Sequence, residues 1–154
     1  MEQNKYVTLH SLLRMAAALI AIIVFISMFI AKQIDDARGS YTWNEVFFGS
    51  DINKATVVGF VGYVLVFIGG LAGLAFVFVD EIIGKDLTKT LSFVTGGVMV
   101  FGAIMMLFTG VMFRAINNLG SEYTLASGPI VFAILSMIAG AANIAAPVLE
   151  DKGL

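Results

Sequence analysis

Four long apolar stretches alternate with short polar ones along the whole chain. A helix crossing the hydrocarbon core of a bilayer, roughly 30 Å thick, needs about 20 apolar residues. The stretches about 12–31, 55–79, 91–113 and 129–149 meet that length. The first lies between Arg14 and Lys32, the second between Lys54 and Asp80-Glu81, the third between Lys89 and Arg114, and the last is closed by Glu150-Asp151-Lys152. The pattern predicts an all-α membrane protein, an antiparallel four-transmembrane-helix bundle formed by one domain over 1–154, with a longer outer loop at 32–54. Arg14 stands near the end of its span, where its stem can reach the headgroups, so the expectation is that it snorkels.

Local signals agree with the hydropathy. Asp51 or Asn53 is placed to cap the second helix, and Asp86 or Thr88 the third. Ser127 precedes Gly128-Pro129 as a cap before an early proline. Pro147 is expected to bend or end the last helix. The first apolar region is longer than a secretory signal, which predicts an uncleaved anchor.

Composition removes whole classes. The 154 residues are 59% hydrophobic and 13% charged, against about a quarter charged in soluble domains. That charge cannot coat a water-facing surface, and such hydrophobicity also excludes intrinsic disorder. There is no Cys, hence no disulfide, Cys-zinc or iron–sulfur chemistry. A net charge of −2 gives no reason to expect nucleic acid as a partner. An even number of spans puts both termini on one side. That side would hold Lys5, Arg14, Lys85, Lys89 and Lys152, and the other Lys32, Arg38, Lys54 and Arg114. The positive-inside rule then favours cytoplasmic termini in the plasma membrane, although so small a bias also permits insertion in both orientations.

In lipid, helices associate through close backbone approach and interhelical hydrogen bonds. Small residues therefore mark the expected packing faces: Gly59, Gly62, Gly69 and Gly73 on the second helix, Gly97 and Gly102 on the third, Ser136 and Gly140 on the fourth, with Ala17 and Ala21 on the first. Homo-oligomerisation is the alternative use of these faces. The methionines and phenylalanines of the third helix read as adaptable packing or lipid contact.

Candidate chemistry is sparse. Apart from the ends, the spans hold no Asp, Glu, Lys, Arg or His, where proton-coupled transporters and pumps generally keep an ionisable group. Tyr63, Thr95, Thr109 and Asn143 are the candidate pore or interhelical polar residues; Ser and Thr bond back to their own helix, whereas an Asn amide needs another helix or a cavity. His10 is the only histidine and lacks companions for a metal site. No nucleotide-binding loop or nucleophile elbow occurs. Catalytic, cofactor and metal sites are therefore all expected to be absent.

The long loop mixes Asp35, Asp36, Glu45 and Asp51 with Tyr41, Trp43, Phe47 and Phe48. The aromatics are expected either to anchor the loop at the interfacial belt or to form a partner-binding patch. Short inner termini, a long first outer loop containing Trp43, a short inner loop and a shorter second outer loop together resemble claudin-like four-helix membrane proteins. The likeness spans the chain in spacing and in residues reaches Trp43. That family continues to a Gly-Leu-Trp and a cysteine pair, whereas here Asn44-Glu45-Val46-Phe47-Phe48-Gly49 follows. The resemblance therefore implies an architecture, and not junction-type strand formation or paracellular sealing. Small four-span bacterial membrane proteins are at least as similar.

The reading that follows is a non-enzymatic integral membrane protein. It would serve as a structural or accessory subunit acting through helix packing, self-association or the first outer loop, its partners being the bilayer and itself or other membrane proteins. The alternative is a small channel or passive transporter lined by the polar residues of the spans.

Overall fold

The computed structural model describes residues 8–152, without the side chains of Asp80 and Glu81. Lys5, counted in the charge balance, lies outside the described residues, as do the side chains that close the second apolar stretch. In chain order the elements are α1 (Leu9–Met28), β1 (Lys32–Asp36), β2 (Gly39–Thr42), α2 (Trp43–Phe47), α3 (Val58–Ile83), α4 (Lys85–Asn117), β3 (Thr124–Leu125) and α5 (Ser127–Asp151). Four of these helices are long and apolar enough to cross a membrane.

The long helices stand in a ring. α1 packs on α3 and α5, and α4 packs on the same two from the opposite side. Sequence neighbours are thus spatial neighbours, as short connections require. Backbone proximity holds α3 to α4 and α4 to α5. A Cβ on Gly62 would stand 2.5 Å from the carbonyl oxygen of Gly102, and one on Gly102 would stand 2.6 Å from that of Gly62. Gly96 and Gly140 face each other in the same reciprocal way, at 2.7 and 2.8 Å. Only glycine permits such approach, and in lipid close approach is what joins helices. Gly69 lies over the Met99 side chain, Gly59 over Thr109 and Phe47, Gly70 over Ala21, and Gly73 against the Asn143 amide. Gly97 differs from the expectation: it is exposed, with nothing within 4 Å of where a Cβ would be. Large apolar side chains such as Leu19, Ile68, Phe101 and Ile138 cover the outward faces and are 55–59% exposed.

Several expected boundaries move. α3 begins at Val58, so Asp51 and Asn53 lie in the preceding loop and neither caps it. The N-cap of α4 is Gly84 (φ 86°); Asp86 sits in the first turn, and Thr88 donates its hydroxyl back to the Gly84 carbonyl. α4 is longer than the apolar run that announced it. Ala126, not Ser127, is the N-cap of α5, and the helix continues through Pro147 to Asp151.

The all-α expectation is corrected by a three-stranded sheet, ordered β2-β1-β3, at one end of the bundle. Asp36 closes the β1–β2 turn, accepting the N–H groups of Arg38 at 2.8 Å and Gly39 at 2.7 Å. β3 comes from the α4–α5 connection and pairs Leu125 with Ile34, so both connections at this end form one sheet. The ladder slips between Lys32 and Ile34. An extra residue in a strand breaks the alternation of faces, and here Gln33 and Ile34 both become buried.

Candidate functional site

The sheet-bearing end carries most of the residues singled out by sequence, and the structure divides them. Phe47 is fully buried, its ring 6.1 Å from those of Phe60 and Tyr63 on α3. With Val46 and Ile34 it plugs the end of the bundle. It therefore has no surface to offer a partner, against the expectation of an exposed contact. Trp43 is half-buried, edge-on to Phe29 at 4.9 Å and to Phe48 at 5.8 Å. Phe48 is 55% exposed and touches Phe60. Tyr41 lies on the other side of the cap, grouped with Phe113 and Tyr123. The four aromatics thus form two patches with a buried plug, not one surface.

Local chemistry explains how α2 stays folded at five residues. The Glu45 carboxylate accepts the backbone N–H and the hydroxyl of Thr42, both at 2.7 Å, closing the reciprocal cap of a short helix. The Thr42 N–H, then its hydroxyl, holds the Glu45 carboxyl below its ordinary value, with Lys32 adding to the effect. Burial pushes the Tyr41 phenol up to about 12, assisted by Tyr123 and Asp36. Asn117 clasps the loop before α3: its amide oxygen accepts the Lys54 N–H at 2.6 Å, and its amide nitrogen donates to the Lys54 carbonyl at 3.3 Å. Arg114 donates to the Tyr123 carbonyl at 2.9 Å.

Beneath the sheet lies a polar hub that the sequence reading missed. Gln33 is fully buried; it accepts the Tyr63 hydroxyl at 3.3 Å and donates to the carbonyls of Met28 and Ala31. Its own carbonyl receives the Ala126 N–H. The side chain thereby ties the end of α1 to α3, and the backbone of the same residue holds the chain leading into α5. The hint in the sequence was a glutamine beside Ile34 directly after a span.

The remaining candidate polar residues sit between helices. Tyr63, Thr109 and Asn143 are buried and Thr95 is half-buried. Thr95 and Thr109 return their hydroxyls to the carbonyls of Ser92 and Met105, and Ser136 does the same to Phe132. Asn143 donates to the Met99 sulfur at 3.4 Å, and its amide oxygen has no hydrogen-bond partner among the described residues.

At the opposite end Arg14 departs from expectation. It is 1% exposed, not extended toward the surface. Its guanidinium donates to Ser92 on α4 at 3.2 Å and pairs with Glu150 on α5 at 3.6 Å. The reason is its facing: Arg14 shares a helical stripe with Ala17, Ala18, Ala21 and Val24, all buried. His10 lies near this end, with Nε2 3.1 Å from the Thr8 hydroxyl. Lys89 and Asp151 form a second, exposed ion pair between α4 and α5.

No family model, curated protein or solved structure matches this chain.

Proposed function

We propose that this chain is an integral protein of the plasma membrane with a non-enzymatic role as a structural or accessory subunit. The observation that carries the reading is the reciprocal glycine packing of the long apolar helices, Gly62 on Gly102 and Gly96 on Gly140, beneath outward faces made of Leu, Ile, Val and Phe. Helices joined this closely, with apolar side chains turned outward, are what lipid favours. The polar groups between them support packing over conduction, because the hydroxyls of Thr95, Thr109 and Ser136 are bonded to their own helices and that of Tyr63 to Gln33.

In the favoured orientation both termini are cytoplasmic, on the side with five of the nine basic residues, and the sheet faces outward. The claudin-like layout belongs to this reading as an architecture. A rigid bundle then presents a small folded cap, whose polar tip is the hairpin around Arg38 and Ser40, to neighbouring proteins or to a second copy.

Crosslinking in native membranes tests the role. Because the chain has no Cys, Ser40→Cys supplies a single defined attachment point on the exposed tip. The expected result is a discrete crosslinked species, either a dimer or a complex with another membrane protein. Recovery of the lone monomer under all conditions would contradict the role. Solute flux through liposomes holding the purified protein should equal that of empty liposomes.

A further inference from the structure

The aromatic side chains between α1, α2 and α3 form a continuous ladder. Phe67 stacks on Phe25 at 4.5 Å, Phe25 meets Phe29 at 5.6 Å, Phe29 meets Trp43, and Trp43 leads through Phe48 to Phe60. Phe25, Phe60 and Phe67 belong to the long apolar helices, Phe29 follows α1, and Trp43 and Phe48 belong to the cap. Exposed apolar surface follows the same line, from Ile26 on α1 and Phe29 just after it to Phe48 beyond α2. Ile52, in the loop that follows, is 81% exposed. Lys32 and Lys54, both exposed, stand at the junctions of α1 and α3 with the cap. Lys32 is close enough to Glu45 to stabilise its charge. The Tyr41 patch has a different character: Tyr41 and Tyr123 sit beside Asp36, with the Tyr41 hydroxyl directed to its carboxylate.

We propose that the Trp43–Phe48 side of the cap is a lipid-interface anchor: α2 lies at headgroup level, with Phe48 and Ile52 dipping into the acyl boundary, while the Tyr41 side stays in water. This rests on the membrane reading above and adds the depth and tilt at which the sheet is held. Three observations point to lipid as the occupant. The patch is joined to the apolar surface of α1 and α3 by the ring contacts of Trp43 with Phe29 and of Phe48 with Phe60. Its rings include the one tryptophan, the residue best suited to bridge acyl and headgroup layers. Lys32 and Lys54 stand where the patch meets α1 and α3 and suit phosphate headgroups, beside the acids Glu45 in α2 and Asp51 next to Ile52.

Trp43 is its own reporter, since the chain has no other tryptophan. The full chain would be placed in phosphatidylcholine vesicles whose acyl chains carry bromine at a shallow or a deep position. Trp43 would be compared with two variants in a Trp43→Phe background: Phe48→Trp in the anchor and Phe101→Trp on the outward face of α4. The anchor predicts blue-shifted emission, stronger quenching by shallow than by deep bromine, and little quenching by aqueous iodide, for both Trp43 and Phe48→Trp. Phe101→Trp should respond most to the deep label. If Phe101→Trp is quenched by lipid but Phe48→Trp is open to iodide, the anchor is wrong and the membrane reading stands. If Phe48→Trp is shielded from both bromine and iodide, another protein surface covers the patch and the anchor is equally wrong. If no probe responds to lipid bromine, the membrane reading fails and the anchor with it.

Discussion

Arg14 shows how one residue can invert a reasonable expectation. A basic side chain near the end of an apolar stretch ordinarily reaches for water, yet here it points inward to Ser92 and Glu150. The information was in the spacing: positions 14, 17, 18, 21 and 24 share a face, and the small residues among them marked that face as a packing surface. Removing one partner of a buried pair is far more damaging than never having had it, typically by about 3–5 kcal/mol. Arg14→Leu should therefore lower the unfolding temperature in detergent markedly, whereas Leu12→Ala on the exposed face of α1 should change it little. Equal effects of the two substitutions would show that Arg14 is not held as described. Glu45 gives a pH prediction of defined sign. Its carboxyl titrates below the ordinary value because the Thr42 N–H and hydroxyl favour the charged form. The stabilisation is complete above the unfolded carboxylate value, about 4.3, and is lost as pH falls through the lowered folded value. Trp43 emission should thus stay constant down to that range and shift below it. In Glu45→Gln the shift should vanish, with α2 already loosened at neutral pH.

At the scale of elements, the long helices were legible and the sheet was not. Hydropathy counts residues that must avoid water, and it located all four long helices within a turn or two. It could not show that α4 runs from Lys85 to Asn117, because charged end turns add nothing to an apolar sum. The strands are two to five residues long and draw stability from pairing across two separate connections, which no local window contains. One cue was present: Asp36 and Gly39 bracket the turn in the positions a type I turn favours. The packing faces were legible as small residues, but spacing alone could not distinguish Gly97, which faces outward, from Gly96, which faces Gly140. That difference yields a paired test. Gly96→Leu forces a side chain into the α5 backbone, and overpacking of this kind costs typically 1–3 kcal/mol or more. Gly97→Leu enters open space and should leave thermal stability unchanged or raised. A loss as large for Gly97→Leu as for Gly96→Leu would refute the assigned facing of α4.

For the whole molecule, the ring α1–α3–α4–α5 is closed at one end by the Gln33 hub and the sheet, and at the other by Arg14 with Ser92 and Glu150. Between these polar ends the helices meet through glycine and alanine, and the outward faces are apolar throughout. The candidate site was legible as a list of aromatics, but not in its division into a buried plug, a Trp43–Phe48 ladder and a tyrosine patch beside Asp36. That division depends on how the loop folds back on the bundle, a tertiary matter. The central claim is that these outward faces meet lipid while the glycine faces meet each other. Spin-label accessibility along α4 tests it most directly, using single cysteines introduced from position 93 to 111 into the reconstituted chain. The account predicts that labels at Phe93, Gly97, Phe101, Ile104, Phe108 and Val111 collide freely with oxygen and hardly at all with a water-soluble nickel complex. It also predicts that those at Met99 and Met106 are immobile and shielded from both. Nickel access at the outward positions, or mobility at Met99 and Met106, would contradict it.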